Sequence, residues 1–344
     1  MPLSLIKPCY RCNPIKSIAA LARALQLSVG ELHALAERAD QSYRTVKPEP
    51  GSTRQTFDAL GQLKVVHRRI KEVVFFNVYF PEYLQGSLKG RDYVTNARLH
   101  TNKQLLICED VKKFFPSVTA ALVEDVWRGF FRFAPDVAKL LTKLTTKSGY
   151  LPQGAITSSY IANLVMWRHE PLLQAKFAAL GITYSRYVDD MAMSWSCHAD
   201  KETQTWVIAQ VYGMLARHGL KAGRAKHEVF SASEPMIATK LIVNRKPSLS
   251  AEKRSQIRSQ VYQLERAEED GTETVSVDAL AIKASQRVGQ LGRFHVTQAA
   301  HLRERVKAVR SRLSVEANAA VSMATETPTT TSPGDLSDAS APWE

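Results

Sequence analysis

The sequence predicts an α+β fold on three observations. Leu105–Cys108 is a four-residue apolar run ending in Glu109 and Asp110, the pattern of a buried strand that delivers a carboxylate at its end. Two alternating stretches, Ile182–Tyr187 and Met191–Ser196, flank Val188, Asp189 and Asp190, and read as a tight β-hairpin with acids at its turn. Helical periodicity governs the two ends of the chain, with strands and further helices mixed between them.

At the start, Ile18, Leu21, Ala22 and Leu25 recur at helical spacing, and Ser28 caps a second run containing Leu32, Leu35 and Ala36. Tyr43–Lys47 is extended and is broken by Pro48, Pro50 and Gly51 before Arg54, which predicts a strand and hairpin loop. A long amphipathic helix is expected from Leu60 to Phe80. Pro152, Gln153 and Gly154 break the chain before a helix carrying Ile156, Tyr160, Ile161 and Leu164. Ser250–Leu264 and Val277–Leu313 are helical and rich in basic residues. From Ser314 the chain is Ala, Ser, Thr and Pro with few large apolar residues, a composition that predicts disorder. The expected organisation is a helical leader over 1–42, a mixed body over 43–245, a basic helical region over 246–313 and a tail over 314–344.

The 344 residues are 44% hydrophobic and 23% charged, ordinary for a chain that folds. Lys and Arg number 46 against 33 Asp and Glu, a net charge of +13. The tail holds five acidic and no basic residues, so the body before it is more basic still. Such an excess suits a polyanionic partner, because Lys and Arg that neutralise phosphates release condensed counterions; a merely soluble basic protein is the plainer alternative. No window reaches the run of about 18 apolar residues that crosses a bilayer, and Met1–Lys16 does not resemble a signal peptide, so a cytoplasmic protein without a membrane partner is expected. Cysteines stand at 9, 12, 108 and 197; Cys9 and Cys12 form a lone CxxC with no second metal-binding pair nearby, and free thiols are expected there.

Nucleotidyl transfer uses two divalent cations held by carboxylates. Asp189 and Asp190 at a hairpin turn, beside Asp110 at the end of a neighbouring strand, place three hard oxygen donors at one sheet edge and suit Mg²⁺. An Asp pair alone also fits an ordinary solvated turn. The order of several motifs discriminates. Asp110–Phe115, Leu151–Gly154 (Leu-Pro-Gln-Gly) and Tyr187–Asp190 (Tyr-Val-Asp-Asp) resemble, in sequence order, motifs A, B and C of the reverse transcriptases. The resemblance implies a right-hand polymerase, with fingers, a palm whose antiparallel sheet carries the acids, and a helical thumb. It further implies two Mg²⁺ ions on Asp110, Val111, Asp189 and Asp190, and deoxynucleoside triphosphates as substrates. Phe115 matches the ring that excludes a ribose 2′-OH, Gln153 and Gly154 the lining of the nucleotide pocket, and Lys47 and Arg54 the basic pair on the triphosphate. Lys226 matches the motif D lysine that protonates pyrophosphate.

Leu88–Arg91 and Asn96–His100 resemble the region before motif A in the retron reverse transcriptases, whose NAxxH motif the latter reproduces; the helical leader and Gly289–Leu302 are similar to that bacterial group as well. The resemblance implies a structured non-coding RNA as template, priming from a guanosine 2′-OH, a branched RNA–DNA hybrid as product, an effector (toxin) protein as partner, and antiphage defence. It implies RNA contacts from Asn96, His100 and Thr239; helix capping and a satisfied core histidine are the plainer readings of Asn96 and His100. One departure stands out: where retron enzymes carry Val-Thr-Gly, this chain has Ala238-Thr239-Lys240. Arg303, Arg305, Arg310 and Arg312 are spaced so that several can face one phosphate track, with Arg303 and Arg310 the RNA-binding candidates. The alternatives are another bacterial defence or diversity-generating reverse transcriptase, and an RNA-binding scaffold that sequesters a toxin.

Overall fold

The computed structural model describes residues 7–48, 54–271 and 274–325. The chain divides into two compact units between Ser248 and Leu249.

The first unit opens with a short strand, β1 (Cys9–Tyr10), and two helices, α1 (Ile18–Ala24) and α2 (Val29–Glu37). Ser28 starts α2 with a capping box: its hydroxyl accepts the Glu31 amide while the Glu31 carboxylate takes the Ser28 amide. An antiparallel hairpin of β2 (Tyr43–Val46) and β3 (Thr56–Ala59) follows; residues 49–53 of its expected loop lie outside the described residues. Helix α3 (Gly61–Val73) is shorter than the sequence suggested. After Val73 and Val74, whose branched side chains suit a strand better than a helix, come a 3₁₀ turn, Phe75–Asn77, and β4 (Val78–Tyr79), which pairs with β1.

Next come α4 (Tyr93–Leu99), β5 (Leu105–Asp110), and the helices α5 (Phe114–Ser117), α6 (Ala120–Asp125), α7 (Pro135–Thr145), α8 (Ser158–Leu164) and α9 (Glu170–Ala179). The hairpin β6 (Thr183–Tyr187) and β7 (Asp190–Trp195) leads through α10 (Lys201–Arg217) to β8 (Glu228–Ser231) and a small hairpin, β9 (Ile237–Ala238) and β10 (Leu241–Ile242). Four strands form one antiparallel sheet in the order β6-β7-β5-β8. Its middle strands are buried along almost their whole length, which is why Leu105–Ile107 reads as a continuous apolar run.

The second unit is helical: α11 (Ala251–Glu269), α12 (Thr274–Gly292) and α13 (Val296–Thr325). Two ion pairs join α11 to α13, Arg305 to Glu265 at 2.5 Å and Arg312 to Glu268. Of the four arginines, Arg305 and Arg312 are thus engaged by carboxylates of α11. Arg303 and Arg310 instead line a 470 Å³ cavity with Lys307, on one face of α13. The tail expectation is corrected. Helix α13 runs past Leu313 to Thr325, in keeping with the strong helix propensity of its Ala-rich end; residues 326–344 of the expected tail lie outside the described residues. The α+β class holds for the chain, and among the described residues no helix is long and apolar enough to cross a membrane.

Candidate active site

The sheet register places the acids together. Asp110, the last residue of β5, stands opposite Asp190, the first of β7, and Tyr187 pairs with Asp190 across the hairpin, so only Val188 and Asp189 form the turn. Facing side chains in such a pair have Cβ atoms ~5 Å apart. The Val111 amide donates to the Asp189 carbonyl at 3.0 Å, tying the end of β5 to the turn. Val188 has φ +60°, an uncommon conformation for a β-branched residue. Gly86 makes this turn possible: a Cβ there would lie 2.4 Å from the Val188 amide nitrogen. The Gln85 amide donates to the Arg186 carbonyl, and the Arg186 amide to Tyr83, which fixes the bracing segment alongside β6.

Like charges held together shift proton affinities. Partial dehydration, then Asp189 and Asp110, raise the Asp190 carboxyl to about 6, against the weaker pull of Lys226 and Lys240. Asp189 is raised too, by burial first, with Asp110 adding to the effect and Arg54 and Lys226 opposing it. Arg54 therefore stands within electrostatic reach of the turn. Lys47, exposed beyond β2, is not among the groups that shift either acid. The Lys226 ammonium donates to Asp110 Oδ1 at 2.7 Å, and this bond raises its pKa. Gly223 brings that loop close: its amide donates to the Asp110 carbonyl at 2.7 Å, and a Cβ there would meet Asp110 Oδ2 at 2.8 Å.

Four and five residues after Asp110 come Phe114 and Phe115; Phe114 is buried, while Phe115, edge-on to it at 5.7 Å between centroids, is only half-buried. The Gln153 carbonyl accepts the Phe57 amide at 2.7 Å, docking this loop on β3. Gly154 has φ +102°, and a Cβ there would lie 2.9 Å from the Phe57 carbonyl oxygen. Gly154→Ala thus forces the β2–β3 hairpin outward, at a cost of about 1–3 kcal/mol. The expected result in single-nucleotide kinetics is a roughly tenfold rise in the KM for the nucleotide, with a smaller change in kcat.

Asn96 and His100 are corrected. Their side chains are 1% and 0% exposed. The His100 ring lies between Ser185 Oγ at 2.7 Å and Ser194 Oγ at 2.8 Å, and the Ser185 hydroxyl donates to Asn96 Oδ1 at 2.7 Å. Burial first, and Lys103 second, lower His100 to about 3, so the ring stays neutral. The NAxxH residues therefore fasten α4 to the β6–β7 hairpin from inside and present no side chain to a nucleic acid. The Thr239 hydroxyl is likewise engaged, donating to the Tyr93 carbonyl at 2.9 Å. Lys240 follows it at φ +68°. That is a glycine-like backbone position, and Lys240 occupies it within electrostatic reach of Asp190.

Two pairs behind the acids were not foreseen. Glu109, on the opposite face of β5, accepts from the Tyr212 hydroxyl at 3.2 Å and pairs with His227 Nδ1 at 2.7 Å, anchoring the residue next to Lys226. Arg186 and Glu170, 0% and 1% exposed, form a two-pronged pair at 2.5 and 2.8 Å. Arg186 also donates to the carbonyls of Ala162, Asn163 and Val188, and Tyr184 to Glu170. Burial alone would weaken the Arg186 charge; Glu170 outweighs it, and the pKa is raised. The available signal was a charged residue inside an otherwise buried strand, present at both Glu109 and Arg186.

The reverse transcriptase (RNA-dependent DNA polymerase) family model matches residues 46–266. The chain belongs to that family. Among curated proteins, the enzyme is 32% identical over 304 residues to the retron Se72 reverse transcriptase of Salmonella heidelberg, covering 86% of this chain and 80% of the relative. It is 29% identical over 306 residues to the retron Ec48 reverse transcriptase of Escherichia coli, covering 83% and 74%. With the retron Mx162 reverse transcriptase of Myxococcus xanthus it shares 31% over 262 residues, covering 67% and 54%. It is a retron-type RNA-directed DNA polymerase with the right-hand polymerase fold.

Reverse transcriptases depend on divalent cations, and the oxygen donors at this site suit them. Among the described residues no three His, Cys, Asp or Glu side chains form a ready metal cage, and Lys226 occupies one Asp110 oxygen. The raised proton affinities of Asp189 and Asp190 nevertheless mark carboxylates short of positive charge. In the absence of cation the folded state holds the Asp190 proton more tightly than the unfolded chain, so stability falls as pH rises from about 4 through about 6. Cation binding requires the charged form. Millimolar MgCl₂ is therefore expected to raise the melting temperature by a few degrees at pH 8 and scarcely at pH 5, as followed by scanning fluorimetry.

Proposed function

We propose that this reverse transcriptase copies a structured non-coding RNA into DNA from a guanosine 2′-OH, leaving a branched RNA–DNA hybrid, and works with an effector (toxin) protein in cytoplasmic antiphage defence. The observation that carries this reading is the likeness to retron reverse transcriptases over most of the chain, up to 32% identity. Asp110, Asp189 and Asp190, with the Val111 carbonyl, would hold two Mg²⁺ ions, which when bound activate the attacking hydroxyl and neutralise the triphosphate.

The remaining work falls to the chain's own groups. Arg54 and Lys47 grip the triphosphate, Arg by a bidentate contact. Phe115 serves as the ring that excludes a ribose 2′-OH, and Gln153 and Gly154 hold the fingers hairpin against the pocket. The Lys226 ammonium carries a proton that it can give to departing pyrophosphate. Arg303 and Arg310, with Lys307, meet RNA phosphates on the thumb. Asn96 and His100 act through the protein interior, and the half-exposed Thr239 meets the RNA.

The test is the linkage of the product. DNA copurifying with the enzyme should be joined to RNA through a 2′,5′ bond, shifting in a denaturing gel after debranching enzyme. DNA with only linear ends and no shift would refute retron-type priming and favour another bacterial reverse transcriptase.

A further inference from the structure

The turn Phe75–Asn77 and strand β4 hold an unusual set of rings. Phe75 is buried and stacks on Tyr160, with centroids 5.1 Å apart and planes at 15°. Phe76, next to it, is held outward and 58% exposed. Between them and the loop before α4 lies a cavity of about 420 Å³, lined by Phe76, Tyr79, Tyr160, Arg11, Lys89 and Arg91 among others, with no acidic residue among its described lining. Its size is that of a small-ligand site. Cations sit over two of the rings: Lys71 Nζ lies 5.4 Å from the Phe76 centroid, and Arg11 Cζ 5.5 Å from that of Tyr79. The Arg91 guanidinium donates to the carbonyls of Phe80, Pro81 and Leu84, so the loop forming one wall is fixed from within.

We propose that this cleft holds an unstacked nucleotide of single-stranded RNA outside the acid cluster, its base against Phe76 and Tyr79 and its phosphate on Arg11 and Lys89. A purely apolar ligand would make no use of the surrounding cations, and an acidic peptide none of the exposed ring. A nucleotide uses both, by stacking and by charge. Duplex is excluded because its bases are already stacked inside the helix. The position also suits a strand engaged at the acids: Lys89 is three residues from Gly86, whose backbone abuts Val188, a chain span of at most ~11 Å. The inference rests on membership of an RNA-dependent polymerase family and not on retron priming.

The test uses the full chain saturated with an unlabelled RNA–DNA hybrid, so that the copying site is filled. A fluorescent single-stranded oligoribonucleotide carrying 5-iodouridine is then titrated by anisotropy and photocrosslinked. Phe76→Ala and Lys89→Ala should each weaken binding roughly tenfold, while Phe76→Trp, which keeps a stacking surface, should not. Crosslinks should map to the peptide spanning Phe76 and Tyr79. Phe76 is exposed and Lys89 lies on a surface loop, so neither change threatens the fold. Unchanged affinity in both alanine variants, equally tight binding of duplex RNA, or crosslinks confined to other peptides would overturn the proposal.

Discussion

Asp189→Asn is expected to reduce DNA synthesis on an RNA template by on the order of 10³-fold while leaving the protein folded and no less stable. The loss follows from the several kcal/mol that a bound cation contributes to charge stabilisation in phosphoryl transfer, at 1.4 kcal/mol per factor of ten. The unimpaired stability follows from the same geometry. Burial and Asp110 raise the proton affinity of Asp189, so in the absence of cation its charge works against the fold. A neutral amide of the same shape removes that repulsion. Primer extension and thermal unfolding of one preparation check both halves, and a variant that loses activity together with its fold would mean that Asp189 is a structural turn residue.

The largest effect on stability belongs to Arg186. Arg186→Leu leaves the Glu170 carboxylate buried without its partner, and the expected cost is about 3–5 kcal/mol, read as a fall in the urea midpoint. Arg186→Lys should fail almost as badly, since an ammonium cannot reproduce the two-pronged pair and the three carbonyl contacts. Replacing both partners, as in Arg186→Leu with Glu170→Leu, should recover much of the stability, because no stranded charge remains. It should not recover DNA synthesis. Arg186 supplies the donor to the Val188 carbonyl at 3.0 Å, and that donor holds the acidic turn in its positive-φ form. Stability regained without activity is therefore the signature of a residue that positions the turn.

The acids were legible because a local pattern, Asp110 and Asp190 at strand ends and Asp189 in the hairpin turn, coincides with a motif order that an ordinary solvated turn would not show. The sheet that unites them could be read from apolar runs, whereas the close approach of Gly154 to the Phe57 carbonyl could not, because Phe57 comes from a hairpin almost a hundred residues away. Direction was harder to read. Asn96 and His100 are polar residues that the family pattern singles out, yet whether a polar side chain faces solvent or a pair of serines depends on what packs above it, and Ser185 and Ser194 come from strands 85 and 94 residues further along the chain than His100. The same holds for Arg305 and Arg312, whose carboxylate partners sit on another helix. The helix expected to reach Phe80 stops at Val73 because the following residues pair with β1, a contact that no periodicity within 60–80 encodes. Glu109 and Arg186 carried a usable signal, charge within a buried strand, but finding their partners required the fold.

That Asp110, Asp189 and Asp190 together hold the cations is most directly tested by replacing Mg²⁺ with Fe²⁺ and mapping where hydroxyl radicals cut the chain. Cleavage is expected beside residue 110 and beside residues 189 and 190 in the same protein, competed by Mg²⁺ and lost in Asp189→Asn. Cuts that spare these two segments, or that persist unchanged in the variant, would contradict a shared cation site at the end of β5 and the β6–β7 turn.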